Sequence, residues 1–158
     1  MKEPVKPKPK RESGQSLVEL AISLIVILFL LLGAVEFSIA LFQYVTIRDA
    51  AQEGALYGSI NPEEENNMKA RAADAASDVV LLSPGDITVE INNKTVSAAI
   101  SANEACEGLT NSIPNAVTVT ITYNHIISFP LVGPMIGSNT IPLTASVTDT
   151  ILFPSCDP

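Results

Sequence analysis

The sequence predicts an α+β protein with a long N-terminal helix, a second helix and a small antiparallel β-sheet. Three observations lead there. Residues 15–60 contain no proline and keep a helical apolar pattern. Residues 61–82 carry a start signal followed by an alanine-rich apolar stripe. Beyond residue 86, apolar residues alternate with threonine and other polar residues at strand period. At 158 residues the chain has room for one membrane helix and one small domain.

Residues 1–14 form a leader rich in Lys, Pro and Glu, a composition that does not build a core. Lys2, Lys6, Lys8, Lys10 and Arg11 oppose Glu3 and Glu12 there, giving +3. The other four basic and 15 acidic side chains leave −11, for a net −8. Positive charge before a first apolar helix stays cytoplasmic, so the acidic body is expected outside. A nucleic-acid partner is not expected, because phosphate binding needs a basic face.

The long helix is expected over 15–60, with residues of about 17–36 crossing the membrane. Those 46 residues would rise about 69 Å, against a hydrocarbon core about 30 Å thick. The uncharged stretches 20–35 and 37–47 together outrun the bilayer. The apolar surface that emerges, with Ile39, Leu41, Phe42, Tyr44, Val45 and Ile47, needs cover from its own domain or from neighbouring subunits. The run is longer than a signal-peptide core of roughly 7–15 residues, and no A-x-A-like site ends it. Near the helix end, Ala51, Gly54, Ala55 and Gly58 put small residues three or four apart, where another backbone can approach. A helix–helix contact and a seat under the chain's own β-sheet both fit that spacing.

Asn61 reads as the N-cap of the second helix, with Pro62 at its first position and Glu64 completing a capping box. Glu63–Glu65 suit the positive end of its dipole, and a calcium site there is a much weaker reading. Met68, Ala72, Ala75, Ala76, Val79 and Val80 form the apolar stripe, and Ser83-Pro84-Gly85 stops the helix near residue 82. Residues 86–100 read as a hairpin turning at Asn92-Asn93. Residues 101–115 are expected to be an irregular loop. Val117–Tyr123 reads as a strand with one buried face, and Leu143–Leu152 as the last strand. Residues 128–142 form an apolar, Pro/Gly-rich loop expected to touch another surface.

Cys106 and Cys156 both fall in the outer body. In an oxidising compartment an even pair reads as a disulfide, closing about 50 residues and worth roughly 4 kcal/mol; two buried free thiols are the alternative. The sole histidine, His125, sits by a strand end and reads as structural or solvated. No phosphate loop, C-x-x-C or H-E-x-x-H pattern occurs, so no catalytic residue, metal or cofactor is expected. Asn93-Lys94-Thr95 matches a glycosylation sequon, a pattern that also arises by chance.

A basic leader, a glycine and then a helix with a carboxylate five residues on suit proteolysis at the cytoplasmic membrane face. The scissile bond would be Gly14–Gln15, leaving Gln15 as the new N-terminus. This resembles the class III signal of type IV pilins, where a prepilin peptidase cuts after glycine and often methylates the new terminus. The likeness is closer to the TadE-like pseudopilins of the tight-adherence (Tad, Flp-type) pilus system. They show a GQ-[AS]-L-V-E start, an acidic residue ending the apolar helix and an N-A-A-R-E-G-A-R-Y-like stretch. Gly14–Glu19, Glu36 and Asp49–Tyr57 stand at those places here. Asp49 replaces Asn, and Gln52 and Leu56 replace the two arginines.

The resemblance implies a pilin-like subunit, minor or major, of an adhesive filament. It would sit N-in in the bacterial cytoplasmic membrane and then pass into an extracellular filament with like or unlike subunits. Its partners would be the prepilin peptidase, a platform protein and an assembly ATPase. Glu19 and Glu36 would serve assembly and register; Glu19 is expected to pair with the α-amino group of an adjacent subunit, the alternative being a side chain at the bilayer edge. The rival reading is a static bitopic membrane protein with an extracytoplasmic binding domain. An enzyme would need a catalytic group that the sequence does not display.

Overall fold

The computed structural model describes residues 13–92, 94–95, 115–129, 133–134 and 137–152. Helix α1 runs Ser13–Ile60 and α2 runs Glu65–Ala76. A single 3₁₀ turn, Pro84–Asp86, leads into strand β1, Ile87–Ile91. The remaining strands are β2, Lys94–Thr95, β3, Ala116–Ile126, and β4, Thr140–Thr150. All pairings are antiparallel, in the order β2-β1-β3-β4. The α+β expectation is therefore met, with a long apolar N-terminal helix, a second helix and a small sheet.

At 1.5 Å per residue α1 is about 72 Å long. Three hydroxyls along it do not interrupt it, because they bond back into the helix. Ser23 donates to the Glu19 carbonyl at 2.8 Å, Ser38 to Ala34 at 2.7 Å and Thr46 to Phe42 at 3.0 Å. The C-terminal part of α1 carries α2 and the sheet. Ile47, Ala50, Ala51 and Ala55 are fully buried, and Gly54 and Gly58 are buried with them.

The second helix starts later than its sequence signal. The Asn61 N–H still donates to the Tyr57 carbonyl at 2.9 Å, so Asn61 completes α1 rather than capping α2. Pro62 and Glu63 make a turn, and the Glu64 carbonyl accepts from both Asn67 and Met68 at 3.0 Å. Glu64 stands at the cap position, its carboxylate taken by Tyr57 and Asn67, so the expected capping box does not form. The helix also stops earlier, at Ala76; Ser83-Pro84-Gly85 instead shapes the 3₁₀ turn, where the Ser83 N–H donates to Asp86 at 2.8 Å. Met68, Ala72, Ala76 and Val80 are buried as expected, but Ala75 and Val79 face outward. The buried stripe keeps strict four-residue spacing, because α2 meets its neighbours along a narrow line.

In the sheet, Val117, Val119 and Ile121 of β3 are fully buried and oppose Ile91, Val89 and Ile87 of β1. The Asn92 backbone is left-handed, φ 52°, which makes the tight turn after β1. Only Lys94 and Thr95 of the returning strand fall among the described residues. Strand β3 extends past Tyr123 to Ile126, and β4 begins at Thr140 rather than Leu143, because the two pair over their whole lengths. On the outer face, Thr118–Thr148, Thr120–Ser146 and Thr122–Thr144 form cross-strand hydroxyl pairs at 2.8, 2.9 and 3.4 Å.

Candidate functional site

Between Gly14 and Leu30 every residue of α1 is exposed, although nearly all are apolar. Helix α1 is long and apolar enough to cross a membrane, and its most apolar window is not buried by the rest of the chain. A helix apolar on all sides is stable only in lipid or inside protein. Gly14 has no neighbouring atoms within contact of a Cβ, and Gln15 and Glu19 are exposed on the same bare stretch. Glu19 has no side-chain partner among the described residues.

Glu36 is placed differently. Its side chain is only 13% exposed, and one oxygen accepts two bonds. His125 Nε2 lies 3.0 Å away, and the Ser128 backbone N–H donates at 2.9 Å. The Gln43 amide closes on Nδ1 of the same ring at 2.6 Å. Glu36 and Gln43 stand two helical turns apart on one face of α1, so they grip the imidazole from below and above. His125 is 2% exposed, and burial of a ring with both nitrogens engaged satisfies a group that would otherwise be costly inside. The cluster ties the lower end of β3 to α1 at the residue that ends the first apolar stretch.

Sequence reasoning missed this cluster because its members lie 82 to 92 residues apart. One signal was available. His125 has the same inward parity on β3 as Val117, Val119 and Ile121, so a buried polar partner on α1 was required.

The small residues at the end of α1 meet the chain's own elements. A Cβ on Gly54 would stand 3.2 Å from the Met68 carbonyl oxygen and from Ala72 Cβ, and 3.5 Å from Val119. One on Gly58 would stand 2.8 Å from Met68 Sδ and 3.0 Å from Val117. Thus α2 and β3 both approach α1 through these two glycines, and Ala51 and Ala55 are sealed beside them.

The opposite side of α1 stays open. Phe37, Leu41, Phe42, Tyr44, Val45 and Leu56 are all exposed. An apolar groove of about 470 Å³ lies on α1 among Leu31, Ala34, Val35, Ser38, Ile39 and Phe42. Gln52 and Leu56, the positions where arginines stand in the resembled pattern, are on this open surface.

Among the described residues no group of three or more His, Cys, Asp or Glu side chains is arranged to hold a metal ion. Glu65 of the acidic run is paired with Lys69 at 2.6 Å. Cys106, Cys156, Asn93 and the 1–12 portion of the leader lie outside the described residues.

The architecture defines a class: an α+β head carried on one helix long and apolar enough to cross a membrane. Comparison with known proteins adds a likeness over α1. The family model described as TadE-like protein matches residues 14–56, so the resemblance read from the motifs holds over that segment. No curated protein and no solved structure matches the chain. The matched residues all lie in α1, the helix long and apolar enough to cross a membrane.

Proposed function

We propose that the chain is a structural, non-catalytic pilin-like subunit of a Tad-type pilus. A prepilin peptidase removes residues 1–14 at the cytoplasmic face, and Gln15 becomes the N-terminus. The subunit then leaves the bilayer, and lipid contacts of α1 are exchanged for contacts with other subunits. A platform protein and an assembly ATPase drive that exchange, and the filament serves adhesion. Whether the subunit is abundant or a minor initiator is decided by its amount in the filament.

One observation carries the reading. The apolar surface of α1 continues past a span ending at Glu36, through Phe37, Leu41, Phe42, Tyr44 and Val45, on the side its own head leaves open. A static anchor has no use for that surface, whereas a subunit that packs by its helix does. The TadE-like match over residues 14–56 supports the same reading. The polar cluster at Glu36, Gln43 and His125 is consumed by internal bonds, which suits a structural role.

Mass spectrometry of the N-terminus from membrane and sheared-filament fractions tests the proposal. A terminus at Gln15 with enrichment in the sheared fraction is expected. An intact Met1 found only in membranes would leave a static bitopic protein with an outer binding domain.

A further inference from the structure

Strand β3 runs down α1 toward the membrane-spanning part. Val117 lies beside Gly58, Val119 beside Gly54, and His125 beside Gln43 and Glu36. From Glu19 to Glu36 the helix rises about 26 Å, close to the roughly 30 Å of a hydrocarbon core. A span seated between these two carboxylates puts Glu36 at a lipid boundary. His125 and Ser128 are bonded to Glu36 and share that level. The β3–β4 connection begins at Ile127, and Phe129 follows Ser128 in it. It returns at the same level, because the Ile127 N–H donates to the Asn139 carbonyl at 3.0 Å.

The composition changes at this end of the head. Residues 129–137, FPLVGPMIG, contain no charged side chain. On the outer face of β3, Ile126 follows Thr118, Thr120, Thr122 and Asn124, and it is 67% exposed. In water the exposed apolar area of Ile126 is unfavourable by roughly 25 cal/mol per Å². At the boundary of a bilayer Ile126 and the half-buried Phe129 beside it are in a favourable medium.

We infer that the β3–β4 end of the head, at Ile126 and Phe129, is seated in the interfacial layer of the lipid bilayer beside α1. The occupant of this apolar surface is lipid, set there by the Glu36 cluster. The head therefore has a second membrane contact that must be released when the subunit leaves the bilayer. The inference rests on α1 spanning a membrane, and the test separates the two.

The chain contains no tryptophan, so single substitutions report cleanly. Full-length Phe129→Trp, Ile126→Trp, Leu28→Trp and Thr148→Trp chains are placed in phosphatidylcholine–phosphatidylglycerol vesicles. Acyl-brominated lipid and aqueous iodide are the two quenchers. Leu28→Trp, Phe129→Trp and Ile126→Trp are expected to lose emission to brominated lipid, and Thr148→Trp only to iodide. Ile126 is exposed, so its substitution does not depend on repacking the head. Lipid quenching at Leu28→Trp, with the head-end tryptophans quenched only by iodide or shielded from both, would overturn the inference and leave the span intact. Absence of lipid quenching at Leu28→Trp would remove the span and the inference together.

Discussion

At the scale of single residues, the carboxylates of this chain are sorted by what surrounds them. Glu36 is buried against the head and accepts from an imidazole and a backbone N–H. Glu64 sits in solvent at the start of α2, where the Tyr57 hydroxyl and the Asn67 amide both donate to its Oε2. The Tyr57 bond, then the Asn67 bond, hold the Glu64 carboxyl below its ordinary value. The same bond is the main reason that the Tyr57 phenol is raised above its ordinary value. The contribution of Glu64 is thus present above the unfolded carboxylate range and is lost as pH falls through its lowered folded value. That of Tyr57 is present below the ordinary tyrosine range and is lost as pH rises through its raised folded value. Tyrosinate absorbance is expected to show a late-titrating component that Tyr57→Phe removes and Glu64→Gln moves toward the ordinary range. A late component unchanged in both variants would mean that the bond does not persist in solution.

At the scale of elements, the head is held to α1 by close approach. Gly54 and Gly58 admit α2 and β3 because no side chain stands between the backbones. At Gly54 a Cβ would press on the Met68 carbonyl, which cannot swing aside as a side-chain end can. A Gly54→Leu substitution is therefore expected to destabilise the head by about 1–3 kcal/mol through overpacking, against a gain of up to about 1 kcal/mol in helix propensity. Gly33→Ala is the control, because nothing lies near that position. Circular-dichroism melts in detergent should show Gly54→Leu melting earlier and Gly33→Ala unchanged or later. These glycines were visible in the sequence as a small-residue stripe, and so were the apolar helix and the threonine-alternating strands. Each is a local periodicity. The start of α2 was misread because Asn61 had a second use, as the residue whose N–H completes α1. The Glu36–His125 pair was illegible for a different reason: register between β3 and α1 is a tertiary fact that no short window contains.

At the scale of the whole molecule, the proposed function asks one helix to serve two solvents. Its first part is bare in the isolated chain, and Glu19 there lacks a partner among the described residues. In lipid a carboxylate near a helix end reaches the interface, but in the core of a filament it has no water to reach. An unpaired buried charge then disfavours assembly by several kcal/mol. In the proposed processed subunit, the α-amino group of Gln15 would be the nearest cation by chain position, since Arg48 is far along α1. Glu19 lies one turn along the same helix from that amine, and in the proposed filament it is paired instead with the amine of an adjacent subunit, which rewards correct axial register. Glu19→Gln keeps the shape and apolar length of α1 and should leave membrane insertion and cleavage at Gly14 intact. It leaves the amine without its counter-charge, and with ~1.4 kcal/mol per factor of ten the filament fraction is expected to fall roughly tenfold or more. Comparing sheared and membrane fractions of the variant by quantitative mass spectrometry reads this directly. Wild-type amounts of filament, carrying a processed Gln15 terminus, would show that register is set elsewhere along α1.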